Sequence, residues 1–488
     1  MLYHMLCESA AAAPAHTALE LGHNTLNYRQ LLAGVDAWSE TLHNVYGVGA
    51  GTPVLVLLPN SFEFVISIFS LAKLGAIAVP VNPSFQEKEL QYYVSDSGTD
   101  TIITTPATAA TIEPIVKTAN PRCRMLTEIR MDSNTAQPRH NQHTPHDSTF
   151  LFQYSSGSTG TPKRVVRSQF NVVTEANNFT ATIKASPDDR FLTVVPLYHA
   201  HGFGNCMLAA LRCGGTLVLQ PSFSRKRTLN ALLEKGITVF PGVPFMFSIL
   251  ADSPSIEKAE LPSLRLAFSA GAALDENTFH GFQKKFGATI RQLYGSTETG
   301  AVSINLGEVD HDRWSSIGKP VQGVEVMLID DASETVTPGE SGEILIKSPA
   351  MTTGYAHLDE LNKETFRNGY FYSGDLGMVD DEGNIFITGR KKLFINAGGN
   401  KVDPGEVENV IQTHPAVAEC VVVGIKGQYS QEIVKAVVVL EENQALSEES
   451  IKALCESKLA EYKVPRIIEF RAEIPRSPLG KILRKYLQ

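Results

Sequence analysis

Long hydrophobic runs are missing from this 488-residue chain, and no segment approaches the ~18–20 continuous apolar residues needed to cross a bilayer. The N-terminus is Ala-rich at Ala10 to Ala13 but lacks a basic stretch ahead of an apolar core, so a secretory signal is not expected. Cysteine is sparse and without pattern. Cys7, Cys123, Cys206, Cys213, Cys420 and Cys455 form no Cys-x-x-Cys pair, which points to reduced, mostly buried thiols rather than a disulfide framework. Positive charge is not in excess. With 43 Lys and Arg against 52 Asp and Glu, the net charge of −9 argues against a nucleic-acid-binding surface as the main function. Internal repeats and low-complexity tracts are absent as well. These absences lead to the expectation of a cytoplasmic protein with no membrane span. The chain does have 43% hydrophobic and 19% charged residues, enough to bury several cores over about three units of ordinary domain size.

The most telling stretch is Tyr154-Ser-Ser-Gly-Ser-Thr-Gly-Thr-Pro-Lys163, in which every residue from Ser155 to Thr161 is Gly, Ser or Thr. Gly157 and Gly160 allow positive φ, so that successive N–H groups can gather around an anion. The hydroxyls of Ser155, Ser156, Ser158, Thr159 and Thr161 add donors, and Lys163 adds a point charge. The loop suits polyphosphate. It is not a Walker A loop, because two residues rather than four separate its glycines and Pro162 precedes the lysine. Taken by itself, the same composition also fits a flexible linker.

Strand and helix signals alternate through the first two thirds of the chain. Val54–Leu58 reads as a buried strand, Ser61–Leu74 as an amphipathic helix capped by Asn60 or Ser61 and closed by Gly75, and Ile77–Pro80 as the next strand. The strand signal returns at Thr101–Thr105, Arg190–Val195, Thr216–Leu219, Ile237–Phe240 and Leu264–Ser269. This rhythm predicts α/β architecture, with mostly parallel sheets covered by helices. Residues 125–149 read as a polar surface excursion. After about residue 318, short alternating strands at Gly323–Ile329, Gly342–Ile346 and Gly383–Thr388 predict a small β-rich subdomain, with a hairpin turn at Asp380–Gly383. Helix Pro404–Thr413, strands Val417–Ile425 and Ile433–Leu440, and helix Glu448–Leu459 then predict an α+β unit.

Further motifs follow the loop in order: Leu293-Tyr-Gly-Ser-Thr-Glu-Thr-Gly300, Tyr372-Ser-Gly-Asp-Leu376, Gly389-Arg-Lys-Lys392 and Pro475-Arg-Ser-Pro-Leu-Gly-Lys481. Leu71-Ala-Lys-Leu-Gly-Ala-Ile-Ala-Val-Pro80 and Pro196-Leu-Tyr-His-Ala-His-Gly202 stand at two more motif positions. Over nearly its whole length the chain resembles the adenylate-forming superfamily, which comprises acyl- and aryl-CoA synthetases, nonribosomal adenylation domains and firefly luciferase. The resemblance implies a large N-terminal domain, residues 1–389, that binds ATP and a carboxylic acid. It also implies a small C-terminal lid, residues 390–488, that rotates between two half-reactions about Lys392. The implied reaction activates a carboxylic acid to an acyl adenylate and passes the acyl group to a thiol, releasing pyrophosphate and AMP.

Each motif then takes an expected role. Ser155, Ser156, Gly157, Ser158, Thr159, Gly160 and Lys163 face the β- and γ-phosphates. Magnesium prefers oxygen ligands, usually one or two carboxylates plus phosphate oxygens, and Glu298 in its short polar turn is the candidate. Locally, a first-turn carboxylate satisfied by a helix dipole is an equal reading. By resemblance Thr297 bonds the α-phosphate, Tyr294 stacks on adenine, and Gly295 and Ser296 border the nucleotide. Gly271, Ala272 and Ala273 allow close backbone approach along adenine and the acyl group. Asp375 suits the ribose hydroxyls, although it also fits a turn cap. Arg390 contacts the ribose or phosphate, Lys481 is swung into the site for adenylation, and Gly398 and Gly399 let a thiol-bearing arm pass.

The acid pocket is expected around His199, Phe203, Phe240, Gly242, Val243, Phe247 and Ala272, with the small size of Gly242 and Ala272 leaving room for an acyl chain. No carboxylate lies in Tyr198–Gly202 to pair an ammonium, so an α-amino acid is disfavoured and a fatty or aromatic acid fits. His201 is as well placed for a structural role, and neither histidine has the company a zinc site needs. The expected acceptor is free coenzyme A. The alternatives are the phosphopantetheine of a carrier protein acting in trans, or a non-catalytic nucleotide-binding relative. Departures from the family pattern are Arg164 in place of Gly, Gln169 in place of His, Leu393 in place of an acidic residue, and Leu479 in place of Ser or Thr.

Overall fold

The structure is a computed structural model that describes residues 1–129, 147–155, 162–254, 256–307, 313–330, 332–390 (backbone alone at 390), 394–427, 431–442, 444–475 and 486–488. Most of the expected polar excursion, the loop core at 156–161, the hinge candidate Lys392 with Leu393, and Leu479 to Lys481 lie outside the described residues.

Two large sheets organise the first 320 residues. One is six-stranded, in the order Arg124–Leu126, Thr101–Thr104, Pro53–Leu57, Ile77–Pro80, Thr149–Ser155, Lys163–Ser168, and only its last pair is antiparallel. The other is nine-stranded, and its middle runs parallel through Ile290–Ser296, Leu266–Ser269, Val239–Gly242, Arg190–Thr193, Thr216–Leu219 and Thr17–Leu21. Side-chain alternation divides each strand between two cores. Val54 and Val56 join the main core while Leu55 and Leu57 join a second one. Leu217 and Leu219 likewise join the main core, and Val218 faces away from it. Both faces of both sheets are therefore buried, which explains why the strands read as near-continuous apolar runs.

Helix Phe62–Leu74 lies inside the main core and is buried on nearly every side, so its sequence is apolar all round rather than amphipathic. Ser61 is its cap, accepting from the Phe64 N–H, and Gly75 ends it at φ +66°. Asn60, the other cap candidate, instead spans the neighbouring sheet. Its amide donates to the Val195 and Gln220 carbonyls and accepts from the Leu197 N–H.

The β-rich region comprises Glu325–Ile329, Ser341–Lys347, Tyr370–Val379, Phe366–Arg367 and Ile385–Arg390. Gly383 turns back onto Asp380 as expected, its N–H 3.0 Å from the Asp380 carbonyl. A small C-terminal domain follows. It contains a hairpin, Ile395–Ala397 with Asn400–Val402, and a three-stranded sheet of Val417–Lys426, Glu432–Leu440 and Ile467–Phe470, covered by helices Pro404–Gln412 and Glu448–Glu456. All six cysteines are free thiols, four of them buried. Among the described residues no helix is long and apolar enough to cross a membrane.

Candidate active site

Four adjacent parallel strands of the nine-stranded sheet end at one edge, and their exits carry most of the singled-out residues. Arg190–Thr193 leads to His199, Val239–Gly242 ends at Gly242 and Val243, Leu266–Ser269 leads to Gly271–Ala273, and Ile290–Ser296 leads to Thr297 and Glu298. The carboxyl edge of a parallel sheet is where open α/β folds bind ligands. The sequence motifs are separated by up to a hundred residues, yet this register gathers them in one crevice.

The phosphate-loop candidate is reached from the other sheet. Strands Thr149–Ser155 and Lys163–Ser168 pair antiparallel, with Ser155 opposite Lys163. The Lys163 ammonium lies 5.0 Å from the centre of the Tyr355 ring, and the Tyr355 hydroxyl donates to Glu298 Oε1 at 2.8 Å. Glu298 is 7% exposed. Its backbone carbonyl accepts from the Thr352 N–H at 2.8 Å, which docks the 352–355 segment on the turn. The turn itself depends on two glycines. A Cβ on Gly295 would sit 2.3 Å from the Gly300 carbonyl oxygen, and Gly300, at φ +70°, has the Glu175 carboxylate 2.4 Å from its Cβ position. Glu175 is itself buried and paired with Arg167 at 2.7 Å.

Tyr294 and Asp375 meet directly, the phenol donating to Asp375 Oδ2 at 2.6 Å. Asp375 sits within strand Tyr370–Val379 with Arg390 opposite it in register, so the turn-cap reading does not hold. Tyr294 packs, partly buried, against the β-rich core. Arg164 does not face solvent. It is 7% exposed, its guanidinium stacks 4.7 Å over Phe152, and it pairs with Asp96 through the Asp96 carbonyl and, at 3.4 Å, its carboxylate. Tyr154 donates to the same carboxylate and Tyr92 to the Pro162 carbonyl, both at 2.7 Å. Gln169 is equally structural. It donates to the Ala72 carbonyl and accepts from the Leu2 N–H, tying three helices together.

On the acid side, Phe203, Phe240 and Phe247 are fully buried. The space beside Gly242 is filled rather than open, because a Cβ there would lie 2.7 Å from the Phe247 ring. Gly271, at φ +87°, has only Val243 among the described residues within 4 Å of its Cβ position. Ala272 is half-buried and Ala273 exposed. His201 is structural. Its ring bonds the Gly242 carbonyl at 3.2 Å and the Asn205 amide at 3.2 Å. Burial pushes its pKa down to about 4, so the neutral ring donates from Nε2 to the carbonyl and accepts at Nδ1 from the amide.

His199 stays open to solvent. Desolvation lowers its pKa to about 4, and the nearby Asn400 side chain opposes that shift. Asn400 belongs to the C-terminal hairpin, whose two-residue turn is Gly398 and Gly399, both at positive φ. A Cβ on Gly399 would stand 3.1 Å from Val243 Cγ2 and 3.4 Å from Phe245. The C-terminal domain thus inserts a hairpin tip between His199 and Val243. Tyr355, Asn400 and Phe245 were not singled out by the sequence motifs; Asn400, directly after Gly398-Gly399, was the one with a local signal.

The chain matches the model of the AMP-binding enzyme family over residues 6–356 and that of the AMP-binding enzyme C-terminal domain over residues 406–481. It is 31% identical to a long-chain-fatty-acid–CoA ligase of Mycobacterium tuberculosis, over 95% of this chain and 92% of that protein. It is also 31% identical to an indoleacetate–CoA ligase of Aromatoleum aromaticum, over 97% and 94% of the two chains. The solved o-succinylbenzoate CoA synthetase of Bacillus subtilis superposes with a TM-score of 0.89 at 27% identity, covering 99% of this chain and 97% of that one. With the strand-edge crevice and its inserted hairpin already in place, these matches show that the chain belongs to the AMP-binding enzyme family and is an AMP-forming acid–thiol ligase.

Proposed function

We propose that this enzyme activates an apolar, fatty or aromatic carboxylic acid with ATP and transfers the acyl group to coenzyme A. The observation that carries this reading is the placement of two half-sites on one crevice. The Lys163–Tyr355–Glu298 chain lies at the phosphate end, and the Gly398–Asn400 hairpin lies against His199 and Val243 at the acid end.

In the first half-reaction a carboxylate oxygen attacks the α-phosphorus of ATP and pyrophosphate leaves. Lys163, Ser155 and the loop 156–160 hold the departing phosphates, Thr297 bonds the α-phosphate, and Lys481 supplies a cation at the reacting centre. Tyr294 and Asp375, already bonded to each other, form the wall for adenine and ribose, with Arg390 opposite Asp375. Among the described residues no three His, Cys, Asp or Glu side chains cluster as a metal cage. One carboxylate near the triphosphate instead fits a magnesium ion that arrives with ATP, which would neutralise phosphate charge. Glu298 would hold it, with Tyr355 fixing the carboxylate. In the second half-reaction the thiol sulfur attacks the acyl carbon, AMP leaves with the attacking carboxylate oxygen, and the thiol proton passes to solvent.

The thiol reaches the acyl carbon past Gly398 and Gly399. We take the inserted hairpin to represent the thiol-transfer orientation of the lid and rotation about Lys392 to give the adenylating one. Apolar Val243, Phe245 and Phe247 support an apolar acid. The buried Glu175 is committed to Arg167, so nothing here favours a substrate ammonium.

A panel of aliphatic and aromatic acids assayed for ATP–pyrophosphate exchange, then for thioester with coenzyme A or with a carrier protein, tests the reading. Exchange confined to polar or amino acids would contradict it, and acylation of the carrier alone would replace coenzyme A as acceptor. Gly242→Ala forces the Phe247 ring aside, an overpacking that costs ~1–3 kcal/mol. The expected result is a shift of the acid profile toward shorter chains with unchanged apparent affinity for ATP, checked by exchange kinetics across a homologous fatty-acid series.

A further inference from the structure

Lys463 stands in the short turn Glu461–Lys463 of the C-terminal domain and is 5% exposed. Its ammonium lies 2.7 Å from Glu89 Oε1 and 2.8 Å from Glu406 Oε1. Glu406 belongs to helix Pro404–Gln412 of the same domain, whereas Glu89 belongs to helix Glu87–Ser97 of the large domain, 374 residues away in sequence. Burial alone would lower the Lys463 pKa, but Tyr462, Glu406 and Glu89 together hold it above its ordinary value, so the group stays charged. Burial raises Glu406, against the pull of Lys463.

Two features connect this cluster to the active site. The turn Glu461–Lys463 packs against strand Asn400–Val402, the arm of the hairpin that brings Asn400 to His199. Beside the pair runs a cleft of about 280 Å³ with Tyr92 and Pro162 on one wall and Val410 and Lys458 on the other. The domains are therefore parted beside the pair, which bridges a gap between them. The motifs and the mechanism account for neither Lys463 nor Glu89.

We infer that Lys463 is a positioning residue that latches the C-terminal domain in the hairpin-inserted orientation by neutralising Glu89 across the interface while remaining bound to Glu406. The inference rests on the proposed two orientations of that domain. Rotation would keep Lys463–Glu406, which is internal to the domain, and break Lys463–Glu89. Without the ammonium, the buried Glu89 and half-buried Glu406 carboxylates would face each other as the hairpin docks, and like charges in a poorly solvated site oppose approach.

The test uses Lys463→Met, Glu89→Lys and the double variant Lys463→Met/Glu89→Gln, each in the full chain and each checked for an unchanged melting profile. Acyl transfer to coenzyme A from the preformed adenylate of the best acid in the panel should fall roughly tenfold or more in Lys463→Met and Glu89→Lys, a typical coupling between sites. Pyrophosphate exchange should stay within about twofold of wild type, since Lys463 and Glu89 favour only the other orientation. Adding Glu89→Gln to Lys463→Met should restore part of the transfer rate, because it removes the facing charge. Equal loss of both half-reactions, or no recovery in the double variant, would overturn the latch.

Hydrogen–deuterium exchange across residues 394–402 reads hairpin docking without any substrate. Protection there should drop in both single variants, and unchanged protection overturns the inference whatever the activity. If the wild type carries out neither half-reaction while its hairpin remains protected in a Lys463-dependent way, the proposed function fails and the latch stands.

Discussion

Glu298→Gln is expected to slow adenylation by roughly a hundredfold or more, the usual cost of removing one electrostatic contact aimed at the transition state. The substitution keeps size, and its amide oxygen can still accept the Tyr355 hydroxyl now bonded to Oε1 at 2.8 Å, so the Glu298 turn and the 352–355 segment should stay docked. What disappears is the negative charge. The loss should therefore depend on magnesium, deepening when the metal is limiting and easing at high concentration. Calorimetric titration of ATP in the presence of magnesium gives a second readout, with weaker metal-dependent binding and little change in metal-free binding. Tyr355→Phe frees the carboxylate without removing it and should cost less, about tenfold. Near-normal exchange by Glu298→Gln at limiting magnesium would remove Glu298 from the metal site.

Gly399→Val should separate the half-reactions in the opposite sense from Glu298→Gln. Gly399 has φ +87°, where a β-branched residue is strongly disfavoured, and its Cβ position is 3.1 Å from Val243. Strain of this kind costs about 1–3 kcal/mol, which corresponds to roughly ten- to a hundredfold in a rate that requires the strained state. The contact with Val243 belongs to the hairpin-inserted orientation alone. Thioester formation from supplied acyl adenylate should therefore fall by that factor while pyrophosphate exchange is nearly unchanged. A uniform loss, or a normal transfer rate, would mean that the hairpin tip is not on the thiol path.

Local chemistry was readable from the sequence where residue type and spacing carry it. The short polar turn at Glu298 and the turn at Asp380–Gly383 lie where their composition suggested. The parallel α/β layers were legible for the same reason, since buried strands and helices leave periodic apolar patterns. What could not be read were partners fixed by tertiary contact. Arg164 pairs with Asp96, 68 residues away, and Tyr355 reaches Glu298 across 57 residues. Lys463 pairs with Glu89 across 374 residues. No local pattern announces such pairs. Helix Phe62–Leu74 shows the same limit at the level of packing. Its apolar surface extends all round because it lies within a core between two sheets, which a single-segment pattern cannot reveal. Gly242 shows it at the level of a single atom, because its small size makes room for Phe247 rather than for open space.

In the proposed reaction a carboxylate oxygen of the acid becomes bonded to the α-phosphorus of ATP before the thiol arrives. Single-turnover reaction of the best acid in the panel, labelled with oxygen-18 in its carboxyl group, with ATP and coenzyme A tests it directly by mass spectrometry of the products. The expected products are AMP carrying one labelled oxygen, unlabelled pyrophosphate and an acyl thioester that retains the other label. Label in orthophosphate with formation of ADP, or AMP free of label, would contradict it.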